Sequence, residues 1–243
     1  KWPSTIDILE GRGNTDAVRV NTLPGRDWRY SGGGYTILGQ LMEDVAGKPY
    51  PEILRERVLD PAGMTHSTYV QPLPVERENQ AATAYASDGS AIKGRYHNYP
   101  EIGAAGLWTT AEDLARFVLA IQQSRAGKPD SLLSTRLAGE MLKPVKSRYG
   151  LGVYLSEDGE RFGHGGTNRG FRVRGSNRGF RTRLSASIDN GWGIVVMTNG
   201  DGGSALCELV PLAAAKAYGW SEELLLDAYG TYGPIRRKRV DIG

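Results

Sequence analysis

Apolar side chains recur at helical spacing in four stretches of the first 145 residues. Tyr35, Leu38, Leu41, Met42 and Val45 predict a helix closed by Gly47 and Pro49. Pro51 suits the first turn of a second, short helix bearing Ile53, Leu54 and Val58, which ends at Asp60-Pro61-Ala62-Gly63-Met64. After a loop-rich stretch over 65–105, Thr109 and Glu112 predict a capping box. The helix it opens carries Leu114, Phe117, Val118 and Ile121 on one face. Ser134 is placed to cap a helix holding Leu137, Met141 and Leu142. Near residue 148 the pattern changes. Tyr149 to Leu155, Arg161 to Gly163 and Gly193 to Thr198 read as strands, separated by turns at 157–159 and 189–191. Residues 204–217 return to a helical pattern despite Pro211. The expectation is an α/β protein: a mostly helical part over 1–145, then antiparallel strands and a covering helix over 146–243.

One stretch resists the simple pattern. Trp28-Arg29-Tyr30-Ser31-Gly32-Gly33-Gly34-Tyr35 runs straight into the first helix. Consecutive glycines are kept where the chain needs positive φ or where something approaches the backbone closely. They predict a tight loop ahead of the helix, with room beside it. Residues 1–27 are polar, with a turn at Leu23-Pro24-Gly25-Arg26.

A second oddity is a tandem repeat. Thr167-Asn168-Arg169-Gly170-Phe171-Arg172-Val173-Arg174-Gly175 is followed at once by Ser176-Asn177-Arg178-Gly179-Phe180-Arg181-Thr182-Arg183-Leu184. An odd shift of nine residues would put Phe171 and Phe180 on opposite faces of one strand. A hairpin turning at 175–177 removes the conflict. It groups Phe171, Val173, Phe180 and Thr182 on one side and Arg172, Arg174, Arg181 and Arg183 on a solvated face.

Charge and composition narrow the field. A net charge of +3 over 243 residues is too small to argue for a nucleic-acid or membrane partner. No apolar run approaches the ~20 residues of a membrane span. The lone Cys207 excludes an intrachain disulfide and a multi-cysteine metal site, and reads as a buried hydrophobe. No Gly-x-Ser-x-Gly elbow, phosphate-binding loop or His-Glu-x-x-His motif occurs, and no cofactor or metal is implied. His66 and His97 lie in polar loops and read as surface residues. His164 sits in Gly163-His164-Gly165-Gly166-Thr167, at a strand end whose glycines open the backbone to a substrate carbonyl or oxyanion.

Three segments in this order resemble a known family. They are Tyr30-Ser31-Gly32-Gly33-Gly34 with Val58-Leu59-Asp60-Pro61-Ala62-Gly63-Met64; Ala104 to Ala115; and Gly163-His164-Gly165-Gly166 with Gly170-Phe171 and Val195-Val196-Met197-Thr198-Asn199. Together they resemble the serine β-lactamase and penicillin-binding-protein superfamily, on its class C and esterase side, over roughly residues 10–220. The resemblance implies a serine acyl-transfer hydrolase acting on an ester, lactam or peptide. Tyr30 would shuttle protons, and His164 would take the place often held by a lysine. Gly165 and Gly166 would flank the substrate, and the Thr167 N–H would complete an oxyanion hole. Gly32 stands where the family carries an asparagine, which favours an esterase-like activity over a β-lactamase or a peptidase.

The nucleophile is the missing part. The family's Ser-x-x-Lys lies well upstream of its tyrosine, and the only such string here is Ser90-Ala91-Ile92-Lys93, in a polar loop without helical pattern. The reading is therefore of an inactive chain, incomplete at its N-terminus, whose nucleophile segment also completes the fold. Ser31 reads as a loop hydroxyl. The alternative is a catalytically silent relative that binds cell-wall peptides or acyl ligands. Asp227 to Tyr232 faintly resemble the start of a C-terminal extension, beginning near 225, that some members carry. Arg236 to Arg239 read as a solvated tail. Lys1-Trp2-Pro3-Ser4 is not a signal peptide, and the resemblance implies a periplasmic or secreted setting.

Overall fold

Gly159 and Gly191, both at φ 72°, turn the second half of the chain back on itself. The computed structural model describes residues 2–13, 15–167 and 179–220. Around these turns lie β1 (Tyr154–Leu155), β2 (Arg161–Thr167), β3 (Arg181–Ser187) and β4 (Gly193–Thr198), forming one antiparallel sheet in chain order. Residues alternate between the sheet's faces. Leu184 and Ala186 of β3 join Phe162, Leu155, Val118 and Ile121 in the main core. Val118 and Ile121 belong to α5 (Ala111–Arg125), and α6 (Thr135–Met141) packs beside it. On the other face, α7 (Ser204–Tyr218) lies against β3 and β4, with Cys207 buried as expected. No helix among the described residues is long and apolar enough to cross a membrane.

The first half is helical. It holds α1 (Thr5–Leu9), α2 (Gly32–Ala46), α3 (Tyr50–Leu54) running into a π-helical turn at Arg55–Leu59, and α4 (Ile102–Ala105). A long-range clamp joins the 65–67 loop to α5. Asp113 is fully buried, and its Oδ2 accepts from the His66 backbone N–H at 2.8 Å and the Ser67 hydroxyl at 2.7 Å.

Several expectations change. The glycine run is not a loop: Gly32, Gly33 and Gly34 form the first turn of α2, and none takes positive φ. Ser31 caps that turn by accepting from the Gly34 N–H at 3.0 Å, and Gly47 closes the helix at φ 64°. Close approach explains one glycine, because a Cβ at Gly33 would lie 2.9 Å from Val18 Cγ1. The cap of α5 is Thr110, whose hydroxyl accepts from the Asp113 N–H, while Thr109 hydrogen-bonds Ser67 instead. The strand expected over 149–155 shrinks to two residues. Ahead of it the chain turns, with Val145 N–H donating to the Tyr149 carbonyl and Gly152 at φ 84°. Helix α1 went unforeseen, although Ser4 and Asp7 form a capping box.

The arginines of the repeat also differ from expectation. The hairpin turn at 175–177, with Arg172 and Arg174, lies outside the described residues, as does the 221–243 tail. Of the described pair, Arg183 is only 6% exposed, with Nη1 donating to the Cys207 carbonyl at 3.3 Å beneath α7. Arg181 Nη2 pairs with Asp201 Oδ1 at 2.8 Å, with both side chains largely buried. The face expected to be solvated is covered by α7 and its approach loop.

Candidate functional site

The segment before α2 carries Tyr30, and three contacts hold it in place. Lys146 Nζ donates to the carbonyls of Gly25 and Arg26 at 2.8 and 2.6 Å. Trp28 stacks on Tyr149, with ring centroids 4.3 Å apart. Ser31 fixes the helix start, as described. Thus a turn legible in the sequence and a helix cap at a serine expected to be a loop hydroxyl deliver Tyr30 to the sheet. Its ring lies 6.1 Å, centroid to centroid, from that of His164, at an interplanar angle of 35°.

His164 is the fourth residue of β2 rather than its end, opposite Leu184 of β3. On the other side, β1 pairs only with Phe162 and Gly163. From His164 to Thr167, no other described strand covers that edge of β2. An open strand edge presents N–H and C=O groups to whatever lies alongside. Gly163 lets β3 come close, since a Cβ there would sit 2.5 Å from the Leu184 carbonyl oxygen. Gly165, Gly166 and Thr167 continue the edge toward the repeat, with Thr167 opposite Arg181. Gly32 opens α2 two residues after Tyr30. A Cβ there would meet only Ala104 Cβ at 3.7 Å, so the position has room for a side chain.

The His164 side chain is exposed by surface area, yet surrounding protein atoms displace part of the water around its ring. That desolvation pushes its pKa below the usual histidine value, and a backbone hydrogen bond at Gly165 offsets part of the shift. Near neutral pH the ring is uncharged, so it can accept a proton.

The remaining candidates stand apart from this pair. His97 is exposed, and so is the side chain of His66. Ser90 is exposed in a tight turn, its hydroxyl donating to Asp88 Oδ1 at 2.6 Å, and no helix starts there. Ser31 Oγ is engaged as the cap of α2. No group of histidine, cysteine and carboxylate side chains among the described residues could hold a metal ion.

Asp201 escaped the sequence reading. It accepts from the Gly179 N–H at 3.0 Å and from Arg181, anchoring the start of β3 beside Thr167. Its only sequence signal was its place in the Asn199-Gly200-Asp201-Gly202-Gly203 loop.

A sequence profile described as Beta-lactamase matches residues 12–217. The chain belongs to the β-lactamase family. It is 30% identical over 158 residues to the D-aminopeptidase of Brucella anthropi, a match covering 62% of this chain and 29% of that protein. The family fold is also that of two solved structures. The D-amino acid amidase from Ochrobactrum anthropi SV3 superposes with a TM-score of 0.65 at 21% identity, over 90% of this chain and 65% of that one. The octameric penicillin-binding protein homologue from Pyrococcus abyssi gives 0.65 at 21% identity, over 91% of this chain and 49% of that one. The chain therefore spans less than a third of the aminopeptidase's length and about half to two thirds of the solved structures. The sheet and its flanking helices match expectation, and the Tyr30 and His164 rings lie 6.1 Å apart.

Proposed function

We propose that residues 1–243 form most of a β-lactamase-family serine hydrolase that cleaves an amide or ester through an acyl-enzyme. One observation carries the reading: the Tyr30 and His164 rings lie 6.1 Å apart beside the open edge of β2. Acyl transfer needs a proton carrier near nucleophile and leaving group, and N–H donors aimed at the developing oxyanion. Tyr30 supplies the phenol that relays the proton from the serine to the departing amine or alkoxide. A phenol titrates near ~10 in water, so Tyr30 needs a partner to act near neutrality. His164 stands beside it where a lysine often stands, but uncharged it does not supply the nearby positive charge that would lower the phenol's pKa. The Thr167 N–H, on the glycine-flanked edge, is the oxyanion donor, and Gly32, Gly165 and Gly166 border the substrate.

The nucleophile is placed on a serine in polypeptide outside these 243 residues, because the one Ser-x-x-Lys string, at Ser90, lies in an exposed turn where no helix starts. Residues 1–243 alone are accordingly inactive. The D-aminopeptidase relative supports an amide of a D-amino acid as the substrate class, whereas Gly32 in place of an amide side chain points toward an ester. A fluorophosphonate probe, followed by peptide mapping, tests this. The expected adduct lies on a serine of a longer form of the protein, with none on residues 1–243. Labelling at Ser31 or Ser90, or robust ester turnover by residues 1–243, would overturn the placement. Saturable binding of amides by the longer form without any adduct would favour the silent-binder alternative.

A further inference from the structure

We propose that the stacked pair Trp28–Tyr149 is the subsite for a flat apolar group on the substrate, so that the site selects aromatic over small acyl groups. This rests on the hydrolase reading above. Trp28 precedes Tyr30 by two residues, which limits their Cα separation to about 7 Å. The aromatic surface therefore adjoins the proton-transfer pair. It is also tied to it from below. Trp28 stacks on Tyr149, and Tyr149 meets Tyr154 edge-on at 5.4 Å; Tyr154 pairs with Gly163, the neighbour of His164. The contacts close a ring from Trp28 through the sheet to His164 and back to Tyr30.

Two properties make this a built surface. First, it is rigid. The Arg26 N–H donates to the Leu23 carbonyl, and Lys146 grips the two carbonyls just before Trp28. Second, it is open. One face of the indole is occupied by Tyr149, yet Trp28 remains 40% exposed. Four cations lie near it in the chain or its contacts: Lys146 holds the two carbonyls, Arg148 lies over the Tyr154 ring at 5.2 Å, Arg26 pairs with Asp27 at 2.6 Å, and Arg29 donates to Asn21 Oδ1 at 2.6 Å. What remains is an exposed aromatic surface two residues from Tyr30. Offset stacking on such a surface favours a planar group over a methyl.

The test uses the longest natural form of the protein with D-phenylalaninamide and D-alaninamide as substrates. Trp28→Ala is expected to lower kcat/KM for the aromatic amide about tenfold, mainly through KM, and to leave the alanine amide within about twofold. Trp28→Phe should retain most of the preference. Equal losses on both amides would make Trp28 a support for Tyr30 and overturn the subsite. Fluorescence separates this from failure of the hydrolase reading. If the wild type turns over neither amide, the indole emission lost in Trp28→Phe should still be quenched saturably by N-acetyl-D-phenylalaninamide and not by its alanine counterpart. Absence of that quenching would sink the subsite, whatever the chemistry.

Discussion

Helices α2 and α5 are each 15 residues long, and each is opened by a hydroxyl cap. Each announces itself by apolar side chains at helical spacing. Their fates differ. In α5 the expected face is the packed one: Val118 and Ile121 are buried, with Leu114 and Phe117 against the same core. In α2 the expected face looks outward. Leu41 is 54% and Val45 80% exposed, and Tyr35 and Leu38 are exposed too, while Thr36 and Gly39 are the buried positions. Small residues on the buried side let α4 approach, since a Cβ at Gly103 would lie 2.7 Å from the Tyr35 carbonyl oxygen. Met42 alone of the predicted stripe packs inward, against the Tyr50, Ile53 and Leu54 cluster. Periodicity thus reveals that a helix has an apolar face, but not which surface covers it.

Paired substitutions test the contrast most directly. Ile121→Ala should cost about 2–5 kcal/mol in urea denaturation of residues 1–243, as expected for a filled core. Leu41→Ala should stay within about 0.5 kcal/mol, because little buried area is lost. A large loss at Leu41 would mean that the stripe is covered after all. Next in size is the ion pair beside the site. Asp201→Ala removes the acceptor for Arg181 and Gly179 and should cost roughly 3 kcal/mol, with faster amide exchange at the start of β3.

The same contrast shows what was legible in advance. Caps and turns have local causes, and these were readable: Ser134, Gly47, and the glycine turns at 159 and 191 all stand where expected. Tyr30 and His164 were paired in advance only through the family resemblance, and their rings lie 6.1 Å apart. Burial was not. Arg181 and Arg183 share a strand face, as alternation requires, but that α7 covers this face depends on contacts between distant segments. The short β1 has a similar cause. Its apolar residues suit a strand, yet the Leu155 N–H bonds back to the Arg148 carbonyl, so the preceding residues coil rather than extend. Asp201 gives no local sign, since its partners lie about twenty residues away across the sheet.

A gentler probe concerns pH. His164 binds its proton less readily folded than unfolded, because burial lowers its pKa. As pH falls through the ordinary histidine value of about 6.5, the unfolded chain takes up the proton first, and stability drops. It is fully present above that value. His164→Gln should flatten this part of the profile in denaturant midpoints measured from pH 8 to 5. An unchanged slope would show that the imidazole is no less basic in the folded chain than in the unfolded one.

The three glycines that open α2 have a practical meaning for engineering. A glycine in a helical turn leaves the unfolded chain more freedom than an alanine would, so each is a store of removable instability. Gly33 is closed to change by Val18, and Gly32 borders the proposed substrate site. Gly34 is neither: a Cβ there would meet only Ser31, at ordinary contact distance. Gly34→Ala should raise stability by about 0.4–1 kcal/mol. The turn that delivers Tyr30 can thus be hardened from behind, at one residue in three, without touching the surface the substrate would meet.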